Sequence, residues 1–189
     1  NFGTDGGAIS LTANGGDINA DFISSSSLSF EGNSGNGGAI NIEAGGNLNA
    51  NSINSYSESF EGTSGNGGNI HLESGGNLNA DFISSDSYGR NSGDGGAINI
   101  EAGGNLTADS ISSSSSSSFE GDSGDGGEIN IEAGGNLNDA NFINSSSFSF
   151  EGNSGNGGNI HLEAGNIHLE AGGNLNDANF INSSSFSFE

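Results

Sequence analysis

The chain has 189 residues, 36 of them Gly, with no Pro, Cys, Met or Trp and only 30% hydrophobic side chains. Twenty-four acids face a single basic residue, Arg90, for a formal net charge of −23. That balance excludes nucleic acid as a partner, since phosphate contacts need Lys and Arg, and it excludes disulfide, thiol and zinc-thiolate chemistry. No apolar run approaches the ~20 residues of a membrane-spanning helix, so no membrane insertion is expected, and an anionic leaflet would repel the chain. Asn1 opens in the middle of a pattern, as expected of a mature product or an excerpt.

Low hydrophobicity and high like charge suggest disorder when taken alone, but a repeat overrules composition. Gly-Gly-x-Ile recurs with its second Gly at Gly7, Gly38, Gly68, Gly96, Gly127 and Gly158, at spacings of 31, 30, 28, 31 and 31 residues. Units therefore begin near Gly6, Gly37, Gly67, Gly95, Gly126 and Gly157, and residues 1–189 read as one β-solenoid repeat domain. In chain order, each unit opens with a strand such as A-I-N-I-E-A (39–44), where Ile40 and Ile42 alternate with Asn41 and Glu43. A Gly pair such as Gly45 and Gly46 follows, then a second strand such as N-L-N-A-D-F-I-S (77–84). The third is S-F-S-F-E (147–151), and a run such as G-N-S-G-N-G-G (32–38) leads to the next unit. Period-2 alternation predicts strands with one buried face. The glycines are read as turn residues that take φ > 0 without steric cost.

Three strands per ~30-residue unit predict an all-β parallel β-helix of about six coils. The predicted ladders are Ile9, Ile40, Ile70, Ile98, Ile129 and Ile160; Leu11, Ile42, Leu72, Ile100, Ile131 and Leu162; and Ile18, Leu48, Leu78, Leu106, Leu137 and Leu175. An aromatic ladder is read at Phe30, Phe60, Tyr88, Phe119, Phe150 and Phe188. A propeller needs longer blades, and an antiparallel sandwich needs hairpin signals that are weak here. Two irregularities stand out. The third unit lacks the usual F-E around Tyr88 and Gly89, and G-N-I-H-L-E-A occurs twice in tandem within 158–171. The seven extra residues either loop out or reflect an error in the sequence.

The run G-N-G-G-x-I-x-I-E-A-G-G-N-L resembles the repeats of large secreted exoproteins of the filamentous haemagglutinin-like, two-partner-secretion type, in their Gly/Asn-rich cyanobacterial and other Gram-negative versions. The resemblance implies a β-helix shaft, export to the bacterial cell surface, and a role in adhesion, aggregation or extracellular fibres. It carries no catalytic residues across.

Calcium is the only cofactor the pattern suggests. G-D-S-G-D-G-G-E-I (121–129) is similar to a calcium nonapeptide, yet the required Asp is absent near Gly127. Looser oxygen ligation leaves Glu31, Glu61, Glu120, Glu151, Asp122 and Asp125 as weak metal candidates. Two Glu columns are read, one at Glu43, Glu73, Glu101, Glu132 and Glu163 with Ala13 in the first unit. The other runs Glu31, Glu61, Glu120, Glu151 and Glu189, with Gly89 replacing its third member. Charges ~5 Å apart repel by about 0.8 kcal/mol even in bulk water, so these columns read as a solvated, repulsive face or as a cation site. His71, His161 and His168 sit at the outward position of I-H-L. The run of serines at 112–118 reads as a hydrogen-bonded ladder, and Asn105, Asn144 and Asn182 lie in N-x-S/T sequons.

The expected function is structural and extracellular: the shaft of a surface adhesin or of a self-stacking filament. The alternatives are a calcium-responsive matrix module and a carbohydrate-acting β-helix enzyme. The enzyme reading is disfavoured because the acids are periodic, whereas a catalytic site is a local departure from a pattern. The expected partners are further copies or a covalent continuation of the repeat, and cell-surface or matrix glycans. Five residues precede Gly6, and Glu189 stops where five residues ordinarily precede the next Gly pair, so one end could run in register into the other.

Overall fold

A computed structural model describes residues 3–117, 121–138 and 142–164, together with the backbone of 165–167, 180–182 and 185–187. The protein is an all-β parallel solenoid of about five turns, with coils ~30 residues apart. The first wall stacks Ile9–Ala13, Ile40–Ala44, Ile70–Ser74, Ile98–Ala102, Ile129–Asn138 and Ile160–Ile167. The second stacks Ile18–Ser24, Leu48–Asn54, Leu78–Ser84, Leu106–Ser112, Phe142–Asn144 and Phe180–Asn182, with the second half of Ile129–Asn138. The third stacks Ser27–Ser29, Ser57–Ser59, Ser87–Gly89, Ser115–Ser117, Ser147–Ser149 and Ser185–Ser187. All the pairings among them are parallel and join equivalent positions of successive coils.

The predicted aliphatic ladders form. Ile9 pairs with Ile40, Ile40 with Ile70, Ile70 with Ile98, and Ile98 with Ile129. Ile40, Ile42, Leu48, Ile70, Leu72, Leu78, Ile98, Ile100 and Leu106 are buried to within 1% of completely. A further inward column runs through Ile23, Ile53, Ile83, Ile111 and Ile143. Each such side chain contributes roughly 1.5–3 kcal/mol by leaving water, which lets a chain this polar fold.

The rest of the interior is polar. In the third wall the serines point inward and the alternating large residues point out, the reverse of what hydrophobicity predicts for S-F-S-F. Ser55, Ser57 and Ser59 are fully buried, as are Ser85, Ser87, Ser113, Ser115, Ser145 and Ser149. Their hydroxyls donate across the interior to glycine carbonyls of the run before the first wall. Ser57 Oγ donates to Gly35 O (2.7 Å) and Ser59 Oγ to Gly32 O (2.6 Å), while Ser55, Ser85 and Ser113 donate to the carbonyls of Gly38, Gly68 and Gly96. Serines of the run itself join in: Ser34, Ser64, Ser92 and Ser123 contact Ser57, Ser87, Ser115 and Ser147 at 2.7–2.8 Å.

The run 32–38 is therefore less a turn than a fourth wall. Its backbone bonds coil to coil, for example Gly37 N–H to Asn66 O (2.8 Å) and Ser34 N–H to Thr63 O (3.1 Å). The glycines are there for a different reason from the one predicted. Within 32–38 only Gly32 has φ in the left-handed region, at 100°. At Gly38 and Gly68 two backbones approach so closely that an added Cβ would strike Ser25 Oγ and Gly7 O in one case, Ser55 Oγ and Gly38 O in the other. Gly68 N–H donates to Ser55 O of the coil below at 2.7 Å. A wall of glycine facing a wall of serine leaves no room for phenylalanine between them.

The third coil resolves into register, whereas residues 168–179, from the end of the tandem duplication onward, lie outside the described residues. Ser87, Tyr88 and Gly89 sit at the positions of Ser115, Ser116 and Ser117, and Ser57 and Glu58 pair with Ser87 and Tyr88. Arg90 N–H then donates to Gly62 O (3.0 Å), and Thr63 bridges Asn91. The two residues missing from the third coil are thus those equivalent to Phe60 and Glu61. Tyr88 does not belong to the Phe30 and Phe60 column, and Gly89 replaces a serine rather than a glutamate. In the tandem duplication the strand Ile160–Ile167 runs straight on, with a register shift between Ala133 and Asn136. Ile167, from the second copy, takes the place beside Leu137 expected for Leu175. Leu175 itself, Phe119, Glu120, His168, Phe188 and Glu189 lie outside the described residues.

Candidate functional site

Among the described residues serines are the only buried polar side chains, so the titratable groups lie on the outward columns. On the first wall one column runs Ser10, Asn41, His71, Asn99, Asn130 and His161, confirming the outward placement of the two described histidines. Beside it runs Thr12, Glu43, Glu73, Glu101, Glu132 and Glu163. The first member is Thr12, not Ala13, which pairs with the inward Ala44. The glutamates from Glu43 to Glu163 are exposed, as their mutual repulsion and hydration require.

The corner acids serve another purpose. Asp122 Oδ1 accepts the N–H of Asn153 (2.8 Å), and Asp125 Oδ1 accepts that of Asn156 (2.6 Å). The same geometry recurs with Asn: Asn36 Oδ1 accepts the N–H of Asn66 (2.8 Å) and Asn47 Oδ1 that of Asn77 (2.8 Å). Each of these side chains reaches one coil along the axis and satisfies a backbone donor that a bend would otherwise leave unpaired. Asp and Asn are interchangeable as acceptors of this backbone bond because it uses only the side-chain oxygen; Asn47 in addition donates its Nδ2 to Asp17 Oδ1 (3.3 Å). Glu31, Glu61 and Glu151 are exposed at the neighbouring corner. Among the described residues no group of three or more His, Asp or Glu side chains is placed to hold a metal ion. The sequon side chains join the same network: Asn105 Oδ1 accepts Asn136 N–H (2.8 Å), and Asn144 Nδ2 donates to Ser114 Oγ (2.6 Å). In the serine run, Ser113, Ser115 and Ser117 are buried, while Ser112 Oγ on the outside donates to Asp86 Oδ1 (2.7 Å).

The aromatic residues decorate the surface. Phe30 and Phe60 stack with ring centroids 5.2 Å apart and planes within 2°, yet both are exposed, as are Phe150 and, in its different column, Tyr88. A second outward column was not evident from hydrophobicity: Phe22, Ser52, Phe82, Ser110 and Phe142 on the second wall. Phe22 is 76% exposed and Phe82 54%. The signal for it was present, because a repeat position that alternates between Phe and Ser cannot be a core position.

Next to that column lies a shallow trough of about 430 Å³, lined by Asn19, Asn49, Asn79, Asp21, Asn51 and Asp81. The amides form a ladder along the axis, Asn49 Nδ2 donating to Asn19 Oδ1 (2.9 Å) and Asn79 Nδ2 to Asn49 Oδ1 (2.8 Å). Asp21 and Phe22 both face outward, as do Asp81 and Phe82, because the strand bends there; the pairing skips Asp81 and Asp109. Trough and aromatic column are therefore two sides of one surface. Compared with family models, with curated proteins and with solved structures, the chain matches none.

Proposed function

We propose that this chain is a structural module, the β-solenoid shaft of an extracellular adhesin or of a self-stacking extracellular filament, and that it performs no catalysis. The observation that carries this reading is that the outward columns repeat with the coil instead of converging on one place. The net charge of −23 supports it by opposing side-by-side aggregation. Negative-stain microscopy of the purified chain across a range of concentrations tests this. Rods that lengthen with concentration by axial stacking are expected; compact particles of constant size at every concentration would overturn it.

A calcium-responsive matrix module is the second reading, favoured by the uninterrupted column from Glu43 to Glu163. It requires a melting temperature that calcium raises well beyond what the same ionic strength of sodium chloride achieves.

A further inference from the structure

We propose that the outer surface of the second wall binds an uncharged, extended β-1,4-linked polysaccharide lying along the solenoid axis. The inference goes beyond the shaft reading and does not depend on it, since every residue involved lies within the described coils.

Phe22 and Phe82 occupy the same position two coils apart, with Ser52 between them. At the strand spacing of a sheet, two coils separate the rings by about 10 Å. In an extended β-1,4-linked chain each sugar is turned over relative to the last, so the same C–H face recurs at every second ring, a repeat that matches this aromatic spacing. Ser52, at the position between them, is a small residue and only 7% exposed, so no bulky side chain projects between the rings. Phe142 continues the column two coils further on and is 39% exposed, and Phe180 occupies the next position one coil later, so the two-coil spacing holds for Phe22, Phe82 and Phe142.

Large apolar side chains this exposed have a cost in water that a structural shaft does not require. What lies beside them points to sugar rather than to protein. The amide ladder of Asn19, Asn49 and Asn79 uses one hydrogen of each donating NH2 group, and each such group has a second. Asp21 and Asp81 add acceptors at the edge of the trough. Planar amides and carboxylates at a regular axial spacing, beside aromatic platforms at twice that spacing, suit a polymer whose hydroxyls repeat along a line. The charge selects among polymers: the trough contains no cation, and the chain's net charge of −23 disfavours uronates and sulfated glycans.

The test is affinity electrophoresis of the full chain in gels containing hydroxyethyl cellulose or polygalacturonate, with calorimetry against cellohexaose. Phe22→Ser combined with Phe82→Ser is the probing variant, since serine already occupies this column at Ser52 and Ser110. Phe30→Ser removes an exposed ring elsewhere. Retardation by hydroxyethyl cellulose but not polygalacturonate is expected, weakened at least tenfold in the double variant and unchanged in Phe30→Ser, with thermal melting preserved in the double variant and lowered in Phe30→Ser only by loss of the stack on Phe60. Should the double variant fold poorly, Asn49→Ser alone is expected to weaken binding severalfold. The proposal is overturned by an absence of binding to both neutral probes, by preference for polygalacturonate, by indifference to these substitutions, or by equal loss in Phe30→Ser. Rod formation in the microscope is a separate readout, so either reading can fail alone.

Discussion

Removing the hydroxyl of Ser87 tests the polar interior most directly. Ser87 is fully buried; its Oγ donates to Gly65 O at 2.7 Å and lies 2.8 Å from Ser64 Oγ, which is itself 3% exposed. A hydroxyl has one hydrogen, and that of Ser87 is committed to Gly65, so Ser64 is the donor in the second bond. Ser87→Ala therefore deprives two groups of a partner, the buried Ser64 hydroxyl and the half-buried Gly65 carbonyl. At about 1–3 kcal/mol for each group left unsatisfied, with some relaxation, the loss should be about 2–4 kcal/mol. Ser64→Ala removes only a donor and leaves the Ser87 bond to Gly65 intact, for a loss of about 1 kcal/mol. Solenoids can open in sections, so the assay is native-state hydrogen exchange at the amides that bond between neighbouring coils: Ser64 to Asn91, Gly67 to Asp94 and Ser87 to Ser114. Exchange there should quicken roughly 30- to 1,000-fold in Ser87→Ala and about fivefold in Ser64→Ala, at 1.4 kcal/mol per factor of ten. Equal effects, or a Ser87→Ala protein as protected as the parent, would refute the reading of this region as a hydrogen-bonded compartment.

Gly68→Ala places a methyl group against Ser55 Oγ and Gly38 O, where the facing backbone cannot retreat, and should destabilise by about 3 kcal/mol or more in urea unfolding; a loss under 1 kcal/mol would mean the walls are further apart. Glu101→Gln relieves repulsion from Glu73 and Glu132 on either side, so the melting temperature at neutral pH should rise by a degree or two. Added salt should raise the parent more than the variant, and the opposite order would argue against a repulsive column. Phe30 and Phe60 should show a coupling of about 0.5–1.5 kcal/mol in a double-mutant cycle, measured by denaturation, because their rings stack in parallel; a coupling indistinguishable from zero would show that the stack is not maintained in solution.

The sequence by itself determined the period, the parallel pairing and the aliphatic ladders. A repeat of nearly constant length stacked in register brings each residue beside its own counterpart, so Ile40 against Ile70 follows from the spacing alone. The same logic placed His71 beside Asn41 and Asn99. It also made the Glu column legible, apart from its first member. It did not say which set of S-F-S-F faces inward, and hydrophobicity gave the wrong answer for Phe148, whose neighbours Ser147 and Ser149 are the buried pair. That choice depends on what stands opposite. The glycine run supplies a wall of carbonyls at a separation that admits a serine hydroxyl and excludes a ring, and its distance in sequence from the strand it faces hides the match. The loss of Phe and Glu from the third coil was legible, but the columns that Tyr88 and Gly89 join were not, because the letters around Tyr88 align equally well from either side. Stacking decided them, by keeping Ser87 over Ser57 and taking up the deficit at the exposed corner. The trough beside Phe22 and Phe82 has the same origin: its residues recur thirty apart along the chain, and only coiling puts them on one continuous surface.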